Sequence, residues 1–159
     1  MKNYILPILL LLLTVPFLMG VGGKMSSYTI NHTFTIDTTS NSSSADTIRF
    51  VNAYGTFNVS MTPDSTGADE GATDTLAFQY RMLVYDNGTW RLLHTNWLSA
   101  EIDNAGTWVT SLNWTDGTTY RVDLSDLDVC DGIEAKIVLG TGDSLLVSIP
   151  TYFEYQKQE

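Results

Sequence analysis

Asn87-Gly88 stands between two apolar-rich runs, residues 76–85 and 90–97, and dictates how this stretch folds back on itself. Asn-Gly tolerates positive φ at both central positions of a two-residue turn, so the pair predicts an antiparallel hairpin with Asp86 opposite Thr89. That register sets Tyr85 against Trp90, Leu83 against Leu92 and Arg81 against His94 on one face. On the other face it sets Val84 against Arg91, Met82 against Leu93, Tyr80 against Thr95 and Phe78 against Trp97. Opposed aromatic and aliphatic pairs contribute roughly 0.2–1 kcal/mol each. Both faces carry large apolar groups, whereas an antiparallel sheet with one wet side shows a single apolar face. Each face of this hairpin therefore needs a cover.

The remainder reads as more of the same material. Residues 28–36 alternate strictly, with Tyr28, Ile30, His32, Phe34 and Ile36 on one side and Thr29, Asn31, Thr33 and Thr35 on the other. Strands are expected over 46–54 and 56–62 around Gly55, over 133–139 and over 144–155. A second hairpin is expected over 107–124, turning at Asp116-Gly117. Pro150 lacks a ladder donor, which places the last strand at an edge or bends it. No helical period occurs after residue 23. About nine short strands between turn signals predict an all-β fold, an antiparallel β-sandwich of immunoglobulin-like or jelly-roll type. Residues 24–159 form one domain, in which 24–45 supply the first strand and a mobile loop rich in Ser, Thr and Asn, and 46–159 form the body.

Residues 1–23 differ in kind. Lys2 gives a short positive start, residues 5–19 are apolar apart from Thr14, and Val21-Gly22-Gly23 supplies small residues. This is the three-part layout of a secretory signal peptide, with a retained membrane anchor as the rival reading. Either way the body is expected outside the cell, secreted or on the surface. The single cysteine, Cys130, permits no internal disulfide and reads as a small buried apolar residue. Five glycosylation triplets begin at Asn31, Asn41, Asn58, Asn87 and Asn113.

The formal net charge is −10, with only eight Lys and Arg. A field of that sign repels phosphates, which argues against nucleic acid, and membrane contact is expected only through residues 1–23. There is no G-x-S-x-G elbow, no phosphate loop and no metal-ligand spacing between His32 and His94. An enzyme is not expected, and neither is a cofactor beyond calcium. For calcium, Asp126, Asp128 and Asp131 outline an incomplete loop in which Cys130 takes the place of an oxygen ligand.

Two functional expectations remain. One is a structural surface module that assembles as a homo-oligomer or polymer into an extracellular fibre, envelope layer or virion coat. Its inter-subunit strand would be residues 28–36, exchanged on the loop that follows. The other is an adhesin-like carbohydrate-binding module that presents Tyr85, Trp90, Trp108 and Trp114 to a glycan.

Overall fold

The structure, a computed structural model, describes residues 25–37, 40–50, 53–65, 75–124, 127, 130–140 and 146–158. Among these, thirteen strands and no α-helix form two antiparallel sheets. Sheet A places, side by side, β1 (Met25–Ile36), β13 (Val147–Gln158), β3 (Ala53–Met61), β11 (Tyr120–Asp123), β8 (Glu101–Asn104) and β9 (Thr107–Val109). A two-residue β4 (Asp64–Ser65) also pairs with β13. Sheet B runs β10 (Leu112–Asn113), β5 (Thr75–Asp86), β12 (Gly132–Leu139) and β2 (Asp46–Arg49), with β6 (Thr89–Leu92) and β7 (Leu98–Ser99) further along β5.

Alternation decides what lies between the sheets. Phe34, Ile36, Val147, Ile149 and Phe153 of sheet A meet Phe78, Tyr80, Ile133 and Ile137 of sheet B, and all are buried in one continuous cluster. Phe78 is the keystone, with Phe34 edge-on at 5.9 Å and Phe153 at 6.5 Å between ring centroids. Burying a side chain of this size contributes about 1.5–3 kcal/mol, so this layer dominates the stability. At one end Tyr28, Tyr155 and Phe57 stack in sequence at 5.8 and 5.6 Å, and Phe50 meets Phe57 edge-on at 4.7 Å. Burial pushes the Tyr155 phenol above its ordinary value, and the neighbouring Tyr28 adds to the rise.

The Asn87-Gly88 turn forms with φ of 48° and 82°, and pairs Asp86 with Thr89, Tyr85 with Trp90, Val84 with Arg91 and Leu83 with Leu92. Beyond Leu93, whose N–H reaches the Met82 carbonyl, the expected register ends. Tyr80 pairs with Leu98 rather than Thr95, Ala100 donates to the Phe78 carbonyl, and His94 is exposed instead of facing Arg81. Three residues have looped out. A strict continuation would have pointed Trp97 inward beside Phe78, where sheet A already fills the space.

Four other expectations change. The 107–124 hairpin does not form, because β10 pairs with β5 in sheet B while β11 lies between β3 and β8 in sheet A. The turn itself exists, with Gly117 at φ 69° and Thr118 donating to the Thr115 carbonyl, but it carries the chain between sheets. The hairpin in this region is instead β8–β9, turned by Ala105-Gly106 at φ 52° and 90°. The strand break expected at Gly55 is absent, since β3 runs through it. β13 is interior rather than at an edge, and Pro150 sits at the gap between its β3 and β4 pairings, where its missing donor is harmless. Finally, the described part of the polar loop is laid along β12. Ser42 bridges Val138, Ser43 is buried, and its hydroxyl accepts the Ile137 N–H at 3.0 Å.

Candidate functional site

The outer face of sheet A is read most directly from its register. Tyr152 pairs with Ser60 across β13 and β3, and Ser60 pairs with Arg121 on β11. One step along the β11–β8 register brings Arg121 beside Asp103, which pairs with Trp108 on β9. On the far side Asn31 of β1 pairs with Tyr152. A single row therefore crosses the sheet as Asn31, Tyr152, Ser60, Arg121, Asp103 and Trp108. A second row runs beside it, with Thr29 opposite Glu154, Glu154 opposite Asn58, and Asp123 and Glu101 following. Opposed residues in an antiparallel pair point to the same side, so both rows present their side chains together.

Two aromatic residues bracket this platform. Trp108 is 42% exposed and Tyr152 is 44% exposed. Four strand spacings separate them, roughly 19 Å on a flat sheet. Arg121 draws Trp108 toward the centre, its guanidinium carbon 5.9 Å from the ring centroid. Between the aromatics lie two adjoining shallow hollows that share Asn58 and Arg121. One, of about 380 Å³, is walled by Thr29, Ser60, Tyr152 and Glu154. The other, of about 160 Å³, is walled by Trp108 and Asp123. The platform holds Glu101, Asp103, Asp123 and Glu154 against Arg121 alone, so its field is negative.

Such a surface offers flat apolar rings at its ends and, between them, carboxylates that accept, a guanidinium that donates and an amide that does both. That chemistry suits a ligand with C–H faces and many hydroxyls. Among the described residues no three His, Cys, Asp or Glu side chains converge to hold a metal ion.

The outer face of sheet B is different. Trp90 lies over Gly132, with Tyr85 at 5.1 Å on one side and the Arg49 guanidinium at 5.4 Å on the other. Trp97 sits between Arg81 and Lys136, each 4.4 Å from its centroid, while Arg81 also grips Glu134, its Nε donating at 3.1 Å. The cover demanded by the second hairpin face is thus the chain's own 90–97 segment.

Of the aromatics singled out from sequence, Trp108 faces the platform, Tyr85 and Trp90 lie on sheet B, and Trp114 is corrected to a core residue at 3% exposure. Tyr152 and Arg121 were not anticipated, and Asn58 only as a glycosylation triplet, since nothing local in the sequence ties them to Trp108. In the first strand Phe34 and Ile36 are buried, Ile30 and His32 half-buried and Tyr28 exposed, and His32 Nε2 meets Asp46 Oδ2 at 3.2 Å. All five glycosylation asparagines are exposed, with Asn31 and Asn58 on the platform. Asp126 and Asp128 lie outside the described residues, and Asp131 accepts the Tyr85 N–H at 2.8 Å. Cys130 packs against the core, its thiol near the Leu127 carbonyl at 3.4 Å. Comparison with protein-family models, characterised proteins and solved structures finds no match for this chain.

Proposed function

We propose that the chain is an exported, non-enzymatic surface module, a β-sandwich of the immunoglobulin-like or jelly-roll kind, that holds a neutral carbohydrate chain across the outer face of sheet A. The observation that carries this reading is the strand-crossing row with an exposed aromatic near each end and Ser60, Arg121 and Asp103 between. Sugar rings stack their apolar faces on Trp108 and Tyr152, and the central polar groups bond their hydroxyls. The negative field of the platform disfavours sulfated or uronate chains and selects neutral ones. Residues 1–23 serve as the export signal or the anchor.

Affinity electrophoresis through gels containing soluble neutral polysaccharides tests the reading. Retardation by at least one of them, lost in the Trp108→Ala/Tyr152→Ala double variant, supports it. Unchanged mobility in every neutral gel overturns it, and new reducing ends in the gel would replace binding by hydrolysis.

A second reading, a structural role in a fibre, layer or coat, is favoured by the long edge strand β1. Exchange of that strand between copies would break its twelve pairings with β13 and withdraw Phe34 and Ile36 from the core. Addition of a strand at its outer edge would break neither.

A further inference from the structure

Asn58 begins one of the five glycosylation triplets, Asn58-Val59-Ser60, and of the five asparagines it alone lines both hollows of the platform. Alternation along β3 fixes its side. Val59 and Met61 are buried, while Asn58 is exposed and points outward with Ser60. Its strand lies inside the sheet, between β13 and β11, so Glu154 and Asp123 flank it. Tyr152, opposite Ser60, is its diagonal neighbour at roughly 7–8 Å. Trp108 stands three strand spacings away, roughly 14 Å. The other triplets lack this setting. Asn41 lies in the polar loop, Asn87 in a turn and Asn113 at the end of β10, and Asn31 walls neither hollow.

We propose that Asn58 carries an N-linked glycan, and that this glycan folds back into the two hollows and occupies the platform of its own chain. This rests on the export and the carbohydrate reading proposed above. The co-reactant is a lipid diphosphate-linked oligosaccharide met on the export route. The Asn58 amide nitrogen bonds to the anomeric carbon, and the bond from that carbon to the diphosphate oxygen breaks. The amide proton and the lipid diphosphate are released. A strand with neighbours on both sides holds the triplet flat, so transfer precedes folding. The outward side chain then lets the sheet close beneath the sugar, whereas an inward one would carry it into the core. A neutral core of N-acetylhexosamine and hexose suits the negative field of the platform. The tether supplies an effective concentration on the order of millimolar, so the attached glycan excludes a free chain of weaker affinity. Modification thus converts the module from one that binds a foreign glycan to one that shields its own face.

The test uses the full chain secreted from a glycosylating eukaryotic cell, with peptide mass spectrometry for occupancy and an endo-β-N-acetylglucosaminidase as the probe. Asn58 is expected to be occupied, and its glycan to be released at least tenfold more slowly from the folded chain than from the heat-denatured one. The Trp108→Ala/Tyr152→Ala double variant should lose that protection. Should the double variant fail to fold, tryptophan emission of the native chain decides. Release of the Asn58 glycan returns Trp108 to water and shifts the emission, while the same treatment of Asn58→Gln leaves it unchanged. An unoccupied Asn58, release as fast folded as denatured, protection that survives the double variant, or unchanged emission on release overturns the proposal. The carbohydrate reading fails separately. An unmodified chain retarded in neutral polysaccharide gels, beside a bare Asn58 in the secreted chain, keeps that reading and overturns the shielding. An unmodified chain retarded in no gel, beside a protected Asn58 glycan, leaves the platform as a seat for its own glycan alone.

Discussion

Trp97 on the outer face of sheet B lies between two cations at 4.4 Å each, whereas Trp108 on sheet A touches Arg121 at 5.9 Å and keeps 42% of its surface in water. Tyr152 is similarly open at the other end of the same row. The two faces are built from the same residue types, yet one has folded its aromatics onto itself and the other holds them apart. A cation–π contact contributes about 0.5–1 kcal/mol at an exposed site, so sheet B uses its rings for internal cohesion. On sheet A the rings are separated by strand spacings rather than by side-chain contact. Exposure alone does not separate the faces, since Tyr85 on sheet B is 47% exposed while in contact with Trp90; the lateral spacing of the rings does.

The contrast can be broken most sharply at Gly132. A Cβ there would stand 2.7 Å from the Ile48 carbonyl oxygen and 3.1 Å from the Trp90 ring, so neither β2 nor Trp90 can stay in place. Gly132→Ala is expected to cost about 1–3 kcal/mol, seen as a lower denaturation midpoint together with a change in tryptophan fluorescence. The matching change on sheet A is Trp108→Ala. It should weaken glycan binding about tenfold, some 1.4 kcal/mol. Its unfolding free energy should stay within about 0.5 kcal/mol of the native chain, because the ring is 42% exposed and its contact with the Arg121 guanidinium is a loose one at 5.9 Å. A large stability loss from Trp108→Ala would abolish the distinction between the faces.

Arg81→Ala probes the cohesion of sheet B from another side. It removes a stacked guanidinium and strips Glu134 of its partner, and chemical denaturation should register a loss of about 1 kcal/mol, less at high salt. The smallest effect belongs to the aromatic stack at the end of the core. The Tyr155 phenol is raised in the folded state, so the folded chain holds this proton more tightly than the unfolded one. That contribution is fully present below pH 10 and is lost as pH climbs through the folded value. Melting temperature should fall above pH 10, and Tyr155→Phe should flatten that decline.

How far the fold was legible follows from where each signal resides. Alternation in residues 28–36 and 133–139 marked real strands, in the first of which Phe34 and Ile36 on the apolar side are buried, and Asn87-Gly88 marked a real turn. Asp116-Gly117 marked a turn but not a hairpin. A turn needs only local dihedrals, while a hairpin needs both flanks to share a sheet, and Leu112 and Tyr120 are buried in different ones. Residues 99–106 read as one turn region, yet 101–104 form β8 and the turn is confined to Ala105-Gly106; alanine gives no hint of the positive φ it adopts. The polar run around Ser43 looked unable to pack, yet a buried hydroxyl is stable once it accepts the Ile137 N–H.

By itself the sequence determined the material: strands with one inward face, the turn at Asn87-Gly88, an acidic surface and an apolar first segment. These follow from side-chain period, backbone dihedral preference and composition, each decided within a few neighbouring residues. Tertiary structure alone decided the company each strand keeps. Pairing is chosen by which apolar faces can be buried together, and that choice is made between residues far apart in the chain. The row from Tyr152 to Trp108 exists only because β13, β3, β11, β8 and β9 lie side by side, an order that no local pattern encodes.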